Sequence, residues 1–464
     1  MNALILTILV PILGSFGVAI SPKRLQQGIA TSILGLTFLS AISILPWTIR
    51  GQQIFFSRYF TDWFSLSLIA DGLSVFMAIV SSFVGLLIAF YSIDYMRHYE
   101  DKPRFFFWMV LFIGAMMGLV FSANLILLFC FWELTSVCSW RLIGFYRQEK
   151  DTKAADKAFL VTVFGASLML VGFVLIYLKF GSMELNALKG ISLTNLVAFL
   201  ILGGIVSKSA QLPLQSWLVD AGVAPTPVTS LLHAAVLVKI GIYVFARLFN
   251  LTFVTEPVFL HVSVVLSLAT IIIAAGCALV ENNMKRILAY STISQLGYIL
   301  LIFAFNSPFS FKIGLIYILA HSLAKAGLFL CAGIIEHKTG TKDISQLGGL
   351  ASYMPYTKVA YLLCAFSIIG IPPFLGFWPK FMLVLLALKS GQILVGILAI
   401  VGALFTLFYL MRLFNAVFLG ETKIAVKEDR SSFMVWVVCI LGIISLLLGV
   451  IFKLPFSFVE NIVR

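Results

Sequence analysis

The chain has 464 residues, of which 61% are hydrophobic and 11% charged; its formal net charge is +13 and its mean hydropathy +1.07. Soluble globular chains are charged at about a quarter of their positions, so the composition excludes that class. The excess lysine and arginine sits mostly in short connections between apolar runs, where positive charge sets membrane topology, which excludes nucleic acid as the reason for it.

Apolar runs near the ~20 residues needed to span a bilayer recur from end to end. They are too long and continuous for the alternating strands of a membrane β-barrel. The reading is an all-α polytopic membrane protein with about fourteen spans. In chain order these are 3–20, 29–47, 73–95, 105–122, 125–145, 159–180, 196–218, 228–249, 258–280, 288–305, 313–335, 360–388, 393–419 and 433–452. No charged region precedes the first, so it is expected to be a retained helix rather than a cleaved signal.

Basic residues set the orientation. One side collects Lys23, Arg24, Arg97, Lys102, Arg104, Arg147, Lys150, Lys153, Lys157, Lys285, Arg286, Lys338, Lys342, Lys423, Lys427 and Arg430. The other collects fewer: Arg50, Arg58, Lys179, Lys189, Lys312, Lys389, Lys453 and Arg464. The first side is expected in the cytoplasm, with both termini outside. The charged stretches 149–157 and 423–430 read as solvated cytoplasmic connections.

Two spans are interrupted. In 196–218 the break is at Pro213, just after Lys208; in 360–388 it is at Pro372, Pro373 and Gly376, just before Lys380. Proline frees helix carbonyls, and in a membrane such a break survives only beside protein or a water-filled cavity. The two broken spans stand five spans apart, which points to inverted five-helix repeats, since paired broken helices mark the transport site of many carriers. The expected divisions are N-terminal helices in 1–104, a first repeat in 105–250, a second in 258–419, and a cytoplasmic loop with a last helix in 420–464.

Charges occur where a membrane protein tolerates them least. Glu133, Lys208, Lys239, Lys325 and Lys380 each fall inside a predicted span. At roughly 2.5–3.5 kcal/mol each on insertion scales, five unpaired charges would cost roughly 12–17 kcal/mol. They must pair, meet water or change protonation state, and a row of acids and bases through a bilayer is what a proton path requires. Glu133 is expected to pair with a lysine of a neighbouring helix, an attraction of about 4 kcal/mol at ~4 Å and an effective dielectric of ~20. Lysine suits a relay because its ammonium can release a proton, as guanidinium cannot.

His321 and Lys325 are four residues apart and share a helix face; a neutral imidazole there both donates and accepts a proton. His233 lies near the start of its span, six residues before Lys239, and is expected to be accessory, as are Ser291, Ser294 and Gln295. With Thr292 and Tyr298 these last three make one side of their span polar, fit either for a water chain or for bonding helix to helix. The forty-three phenylalanines read as packing and lipid-facing residues. Cys130, Cys138, Cys277, Cys331, Cys364 and Cys439 lie in apolar segments without metal-ligand spacing, so no metal or cofactor is expected in this chain. Any redox chemistry then belongs to other subunits.

The stretches Phe-Trp-Glu-Leu-Thr-Ser from Phe131, Lys-Ser-Ala-Gln-Leu-Pro-Leu-Gln-Ser-Trp-Leu from Lys208, Ala-Pro-Thr-Pro-Val-Thr-Ser-Leu-Leu-His-Ala-Ala from Ala224, Leu-Ala-Tyr-Ser-Thr-Ile-Ser-Gln-Leu-Gly-Tyr from Leu288 and Gly-Ile-Pro-Pro-Phe-Leu-Gly-Phe-Trp-Pro-Lys from Gly370 together resemble the antiporter-like subunit family. That family spans the proton-pumping membrane subunits of respiratory complex I, Mrp-type sodium/proton antiporters and membrane-bound hydrogenases. The resemblance implies that Glu133 and Lys208 form the pumping pair, Lys239 the connecting lysine, His321 and Lys325 the central region, and Lys380 the exit-side lysine, a position that is glutamate in some members. It also implies a multi-subunit complex in the cell (inner) membrane, with other membrane subunits and cluster-bearing soluble subunits as partners and protons or Na+ as the ions moved. Enzyme activity, if present, would belong to the complex. The chain's length argues against the largest members, which carry a long lateral helix. A structural subunit without transport is the remaining reading, and the row of buried charges weighs against it.

Overall fold

A bilayer offers the backbone no hydrogen-bond partner, so an apolar chain must satisfy its own amides, and here it does so almost entirely in helices. The computed structural model describes residues 1–97, 99–423 and 432–463. The helices are α1 (Asn2–Ile20), α2 (Gln26–Ile49), α3 (Gly72–Tyr95), α4 (Lys102–Phe121), α5 (Leu125–Ile143), α6 (Glu149–Phe180), α7 (Asn195–Lys208), α8 (Ser216–Asp220), α9 (Thr226–Ser230), α10 (Leu237–Phe245), α11 (Pro257–Val280), α12 (Met284–Ala304), α13 (Pro308–Thr339), α14 (Pro355–Ile369), α15 (Phe377–Lys389), α16 (Ile393–Phe418), α17 (Phe433–Val450) and α18 (Lys453–Ile462).

Among the described residues, twelve helical runs are long and apolar enough to cross a membrane. The two expected interruptions are present: α7 gives way to α8 across Pro213, and α14 to α15 across Pro372 and Pro373. Polar side chains fix the helix starts. Asp71 and Ser74 form a reciprocal capping box at α3, Ser307 and Ser310 do the same at α13, and Asn124 and Asn283 cap α5 and α12.

Two differences from expectation have simple causes. No strand was expected between 47 and 73, yet β1 (Ile54–Tyr59) pairs antiparallel with β2 (Ser65–Ala70). The hairpin is pinned by side chains: Ser65 donates to the Glu184 carboxylate, which also accepts from Asn124 at 2.8 Å. Helix α6 begins ten residues before the expected span, because its charged first turns are helical outside the apolar run, with Lys153 and Glu149 paired at 2.6 Å. Of the charged stretch 423–430, residues 424–430 lie outside the described residues.

Backbone bonds tie the connections into two ends. At one end Ala123 donates to Ser67, Leu125 to Met183, and Gly190 to Thr252; at the other Met284 donates to Lys342, Ile344 to Asn282, and Gly349 to Leu419. Between them lies a centre that is buried all round. The run from α9 through α10 is enclosed along its length, and α12 and α13 nearly so. By contrast α1, α2, α6, α11, α16 and α17 bare apolar residues outward, such as Leu13, Leu36, Leu160, Val265, Ile400 and Leu447.

A buried ion pair fastens the central run to the start of α3. Arg247 grips Asp71 with two parallel bonds, Nη1 to Oδ2 at 2.5 Å and Nη2 to Oδ1 at 2.8 Å, while its Nε donates to the Tyr243 hydroxyl at 3.0 Å. Burial pushes the Asp71 carboxyl up, but the Arg247 charge and the hydrogen bonds from Arg247 and Ser74 outweigh it and hold the group below its usual range. A depressed carboxylate stabilises the fold above its unfolded pKa, and that stability is lost as pH falls through the depressed value. Asp71→Asn strands a buried guanidinium and is expected to cost about 3–5 kcal/mol. Lys153→Ala removes an exposed pair and is expected to cost less than about 0.5 kcal/mol. Thermal unfolding in detergent compares them, and equal effects would refute the structural role of Asp71.

Candidate functional site

Helix α7 ends at Lys208, and Ala210 follows in the left-handed region with φ of +49°. The carbonyl of Ser207 accepts from the Ala210 amide at 3.3 Å and from the Trp217 indole at 2.9 Å. The Lys208 ammonium is wholly buried and turns to α5, donating to the Ser136 hydroxyl at 2.6 Å and the Trp132 carbonyl at 3.1 Å, 5.2 Å from the Trp132 ring centre. The expected contact with Glu133 is not made: no ion pair within 4.0 Å joins them, and the buried Glu133 Oε1 has no hydrogen-bond partner. Helix geometry explains this. Trp132 and Ser136 are one turn apart and face α7, whereas Glu133 stands to one side, about 100° round α5 from Trp132 and about 60° from Ser136.

The next members stand deeper. Helix α10 lies close against α7, since a Cβ on Gly241 would be 2.7 Å from the Ile205 carbonyl. This brings in Lys239, which is fully buried and whose Nζ has no protein partner. One π turn before it, at Leu231–Ala235, carries His233. π turns inside helices are frequent at functional sites. Expected near an entrance, His233 is instead enclosed, its ring stacked on Phe329 at 4.4 Å with both nitrogens unpartnered. The same holds for both nitrogens of His321 on α13. Polar groups buried without protein partners must meet water or shed their charge.

Lys325, one turn beyond His321, is anchored: Nζ donates to the Ser291 hydroxyl at 2.5 Å and the Leu288 carbonyl at 3.3 Å. Here α12 presents its polar side. Ser291 shares a hydrogen bond with the Tyr409 hydroxyl at 2.7 Å, Gln295 accepts from Tyr317 at 2.6 Å, and its amide reaches Thr406 at 3.3 Å. Tyr298 donates to the Ala399 carbonyl at 2.6 Å and presents its ring 4.9 Å from the Lys380 ammonium. Gly402 makes room for it, since a Cβ there would be 2.6 Å from the Tyr298 hydroxyl. Lys380 sits in the first turn of α15 and donates to the Ile368 and Ile369 carbonyls, freed where α14 ends, at 2.7 and 3.2 Å. Ser294 is different: it donates to the Ile271 carbonyl at 3.0 Å and ties α12 to α11.

Sequence reasoning did not single out Ser136, Tyr317, Thr406 or Tyr409. One signal was present, since Tyr317, His321 and Lys325 repeat every four residues on one face of α13.

The profile described as NADH:quinone oxidoreductase/Mrp antiporter, TM, matches residues 122–406. The chain belongs to the NADH:quinone oxidoreductase/Mrp antiporter family. A second family profile, complex I chain 5 N-terminus, matches residues 62–106. Within the family the chain is 34% identical to NADH-quinone oxidoreductase subunit L of Escherichia coli, over 95% of this chain and 76% of that one. It is also 34% identical to a Na(+)/H(+) antiporter subunit of Alkalihalophilus pseudofirmus, over 90% of this chain and 56% of the relative. The chloroplastic NAD(P)H-quinone oxidoreductase subunit 5 of Physcomitrium patens is 33% identical, with 88% and 60% covered. The chain thus spans little more than half the length of the last two relatives. A chain of the Mrp complex from Dietzia has the same fold, with a TM-score of 0.93 over 100% of this chain and 97% of that one, at 24% identity.

Ser136→Ala removes the shorter of the two Lys208 contacts and leaves a buried ammonium under-satisfied, an expected loss of about 1–3 kcal/mol. Ser322→Ala removes only a bond to its own helix, Ser322 Oγ to Ile318 at 2.6 Å, and is expected to be near neutral. Melting temperatures of the two variants in detergent test this, and the reverse order would exclude the Lys208–Ser136 bond.

Proposed function

We propose that the chain is a proton-translocating, antiporter-like subunit of a multi-subunit energy-converting membrane complex, complex I-like or hydrogenase-like. The observation that carries this reading is the buried row from Lys208 to Lys380, with Lys239, His321 and Lys325 between them and hydrogen-bonded serine, glutamine and tyrosine side chains between Lys325 and Lys380. Protons enter from the cytoplasm near Lys208, pass Lys239 and the His321/Lys325 region, and leave past Lys380. Glu133 biases Lys208 from across the face of α5 rather than by direct contact, with His233 accessory. Electron transfer, where the complex performs it, lies in cluster-bearing partner subunits.

The Mrp-type reading, a cation/proton exchanger without a redox partner, draws support from the likeness to the Na(+)/H(+) antiporter subunit of Alkalihalophilus pseudofirmus. A sodium gradient that drives proton flux in proteoliposomes favours it; flux that depends on an electron donor favours the first.

The architecture belongs to the same proposal. Twelve continuous spans and two interrupted ones make fourteen crossings, with five-helix repeats in 105–250 and 258–419 facing opposite ways. The end holding Lys150, Lys285 and Lys342 faces the cytoplasm and both termini face outward. Cysteines placed at 150 and 342 are expected to resist membrane-impermeant reagents in intact cells; labelling from outside would invert this map.

Glu133→Gln keeps shape and removes the charge, and is expected to reduce proton translocation at least about tenfold, a change of about 1.4 kcal/mol, with the complex still assembled. Wild-type flux in that variant would eliminate the electrostatic gate. Lys380→Met and Lys380→Arg are both expected to fail, because neither side chain releases a proton. Were Lys380 only an anchor, Arg would substitute, so full flux in Lys380→Arg would remove it from the path.

A further inference from the structure

Outside the buried row, one cavity carries more cationic than anionic side chains among the described residues. It has a volume of about 470 Å3 and lies where the start of α4, the end of α5 and the start of α6 meet. Its walls carry Arg104, Arg141 and Arg147 against a single carboxylate, Asp156. That carboxylate accepts from the Trp140 indole at 2.8 Å. Arg147 has a loose outside pairing with Asp101 at 3.7 Å. Arg141 lies over the Trp140 ring at 4.8 Å and 5.9 Å from the Trp108 ring, and Arg104 Nη1 is buried with no hydrogen-bond partner. A second cavity across α6 carries Lys150, Lys153 and Lys157, of which Lys153 pairs with Glu149 and Lys157 with Asp220, each at 2.6 Å.

Below this cavity α6 bares one apolar stripe, Leu160, Phe164, Val171, Val174 and Leu178, at helical spacing. From Leu160 to Leu178 it runs about 27 Å at 1.5 Å per residue, close to the ~30 Å of a bilayer's hydrocarbon. Cations, then a tryptophan at headgroup height, then a hydrocarbon-length apolar strip is the layout of an anionic phospholipid. Guanidinium forks match phosphate oxygens two at a time, and basic pockets among membrane helices on the cytoplasmic side hold such headgroups.

We propose that this cavity binds the phosphodiester of an anionic phospholipid, with Arg104 and Arg141 on the phosphate and the acyl chains along the α6 stripe. A free phosphate shares the headgroup chemistry but not the stripe, so the two sources separate by experiment.

The test uses the purified complex containing the full chain, delipidated in mild detergent and incubated with phosphatidylglycerol or phosphatidylcholine of identical chains; lipid retention is read by native mass spectrometry. Phosphatidylglycerol is expected to be retained about tenfold more tightly than phosphatidylcholine, and Arg104→Gln with Arg141→Gln to abolish that preference. The double Arg→Lys variant keeps the charge and is expected to keep most of the preference, and it stands in if the Gln variant does not fold. Inorganic phosphate in large excess is expected not to displace the lipid, and Phe164→Ser to weaken retention of long-chain lipid. Equal retention of the two lipids, an unchanged Gln variant, or full displacement by phosphate overturns the proposal. So does cross-linking of Phe164→Cys to a neighbouring subunit in a complex that retains no lipid, since a protein partner then covers the face.

Discussion

A lysine ammonium buried among helices loses its water, and here the oxygens that replace it come from a helix end at Lys380 and from hydroxyls and carbonyls of an intact neighbouring helix at Lys208 and Lys325. That constraint organises this molecule. Lys380 reaches two carbonyls released at the end of α14, and Lys208 occupies the last position of α7, beside a carbonyl and a hydroxyl of α5. The interruptions make room for buried polar chemistry, and at the second break the Ile368 and Ile369 carbonyls also hold the cation, whereas Lys208 is held by the unbroken α5.

The molecule separates cations paired with a carboxylate from buried cations left without one. Arg247, Lys285, Lys312 and Lys342 each have a carboxylate within 4.0 Å. Glu336 takes two of these, Lys285 at 2.8 Å and Lys342 at 3.1 Å, and so fixes α13 to α12 and the following loop. Among the described residues, none of Lys208, Lys239, Lys325 and Lys380 has such a partner; they meet neutral oxygens, aromatic faces, or in Lys239 no hydrogen-bond partner at all. Removing one partner of a buried ion pair typically costs 3–5 kcal/mol. A cation locked at that level is a poor relay, whereas one held by hydroxyls and carbonyls changes protonation without dismantling the fold.

The sequence made the helical class, the two breaks and the buried charges legible, because hydropathy, proline and intramembrane lysine are local signals. Lys208 and Lys380 could be placed at helix breaks from Pro213 and from Pro372 and Pro373 alone. What stayed hidden depends on rotation and on distant partners. That Lys208 faces Ser136 rather than Glu133 is set by how α5 turns toward α7, and no spacing within either segment contains that angle. The bonds from Ser291 to Tyr409 and from Gln295 to Thr406 join residues more than a hundred positions apart, so α12 alone left its polar side ambiguous between a water chain and helix pairing. The hairpin was missed because its strands are short and its anchor, Glu184, lies on a different segment.

The separation of Glu133 from Lys208 changes how the proposed gate has to work. In direct contact at ~4 Å and an effective dielectric of ~20, a carboxylate and an ammonium attract by about 4 kcal/mol; at twice that distance the attraction is about half. A pair already in contact can only be weakened by motion. In the proposed gate, a pair held apart, with the ammonium meanwhile satisfied by Ser136 and Trp132, alternates between lysine on the hydroxyl and lysine on the carboxylate. Rotation of α5 by a fraction of a turn, or a rotamer change of Glu133, exchanges one for the other, and the difference of about 2 kcal/mol shifts a proton equilibrium by more than a factor of ten. The unpartnered Glu133 Oε1 is consistent with a side chain that completes its contacts only in the second arrangement. Under the proposed gate, the arrangement described is the one with Lys208 on the α5 hydroxyl and carbonyl rather than on its counter-ion.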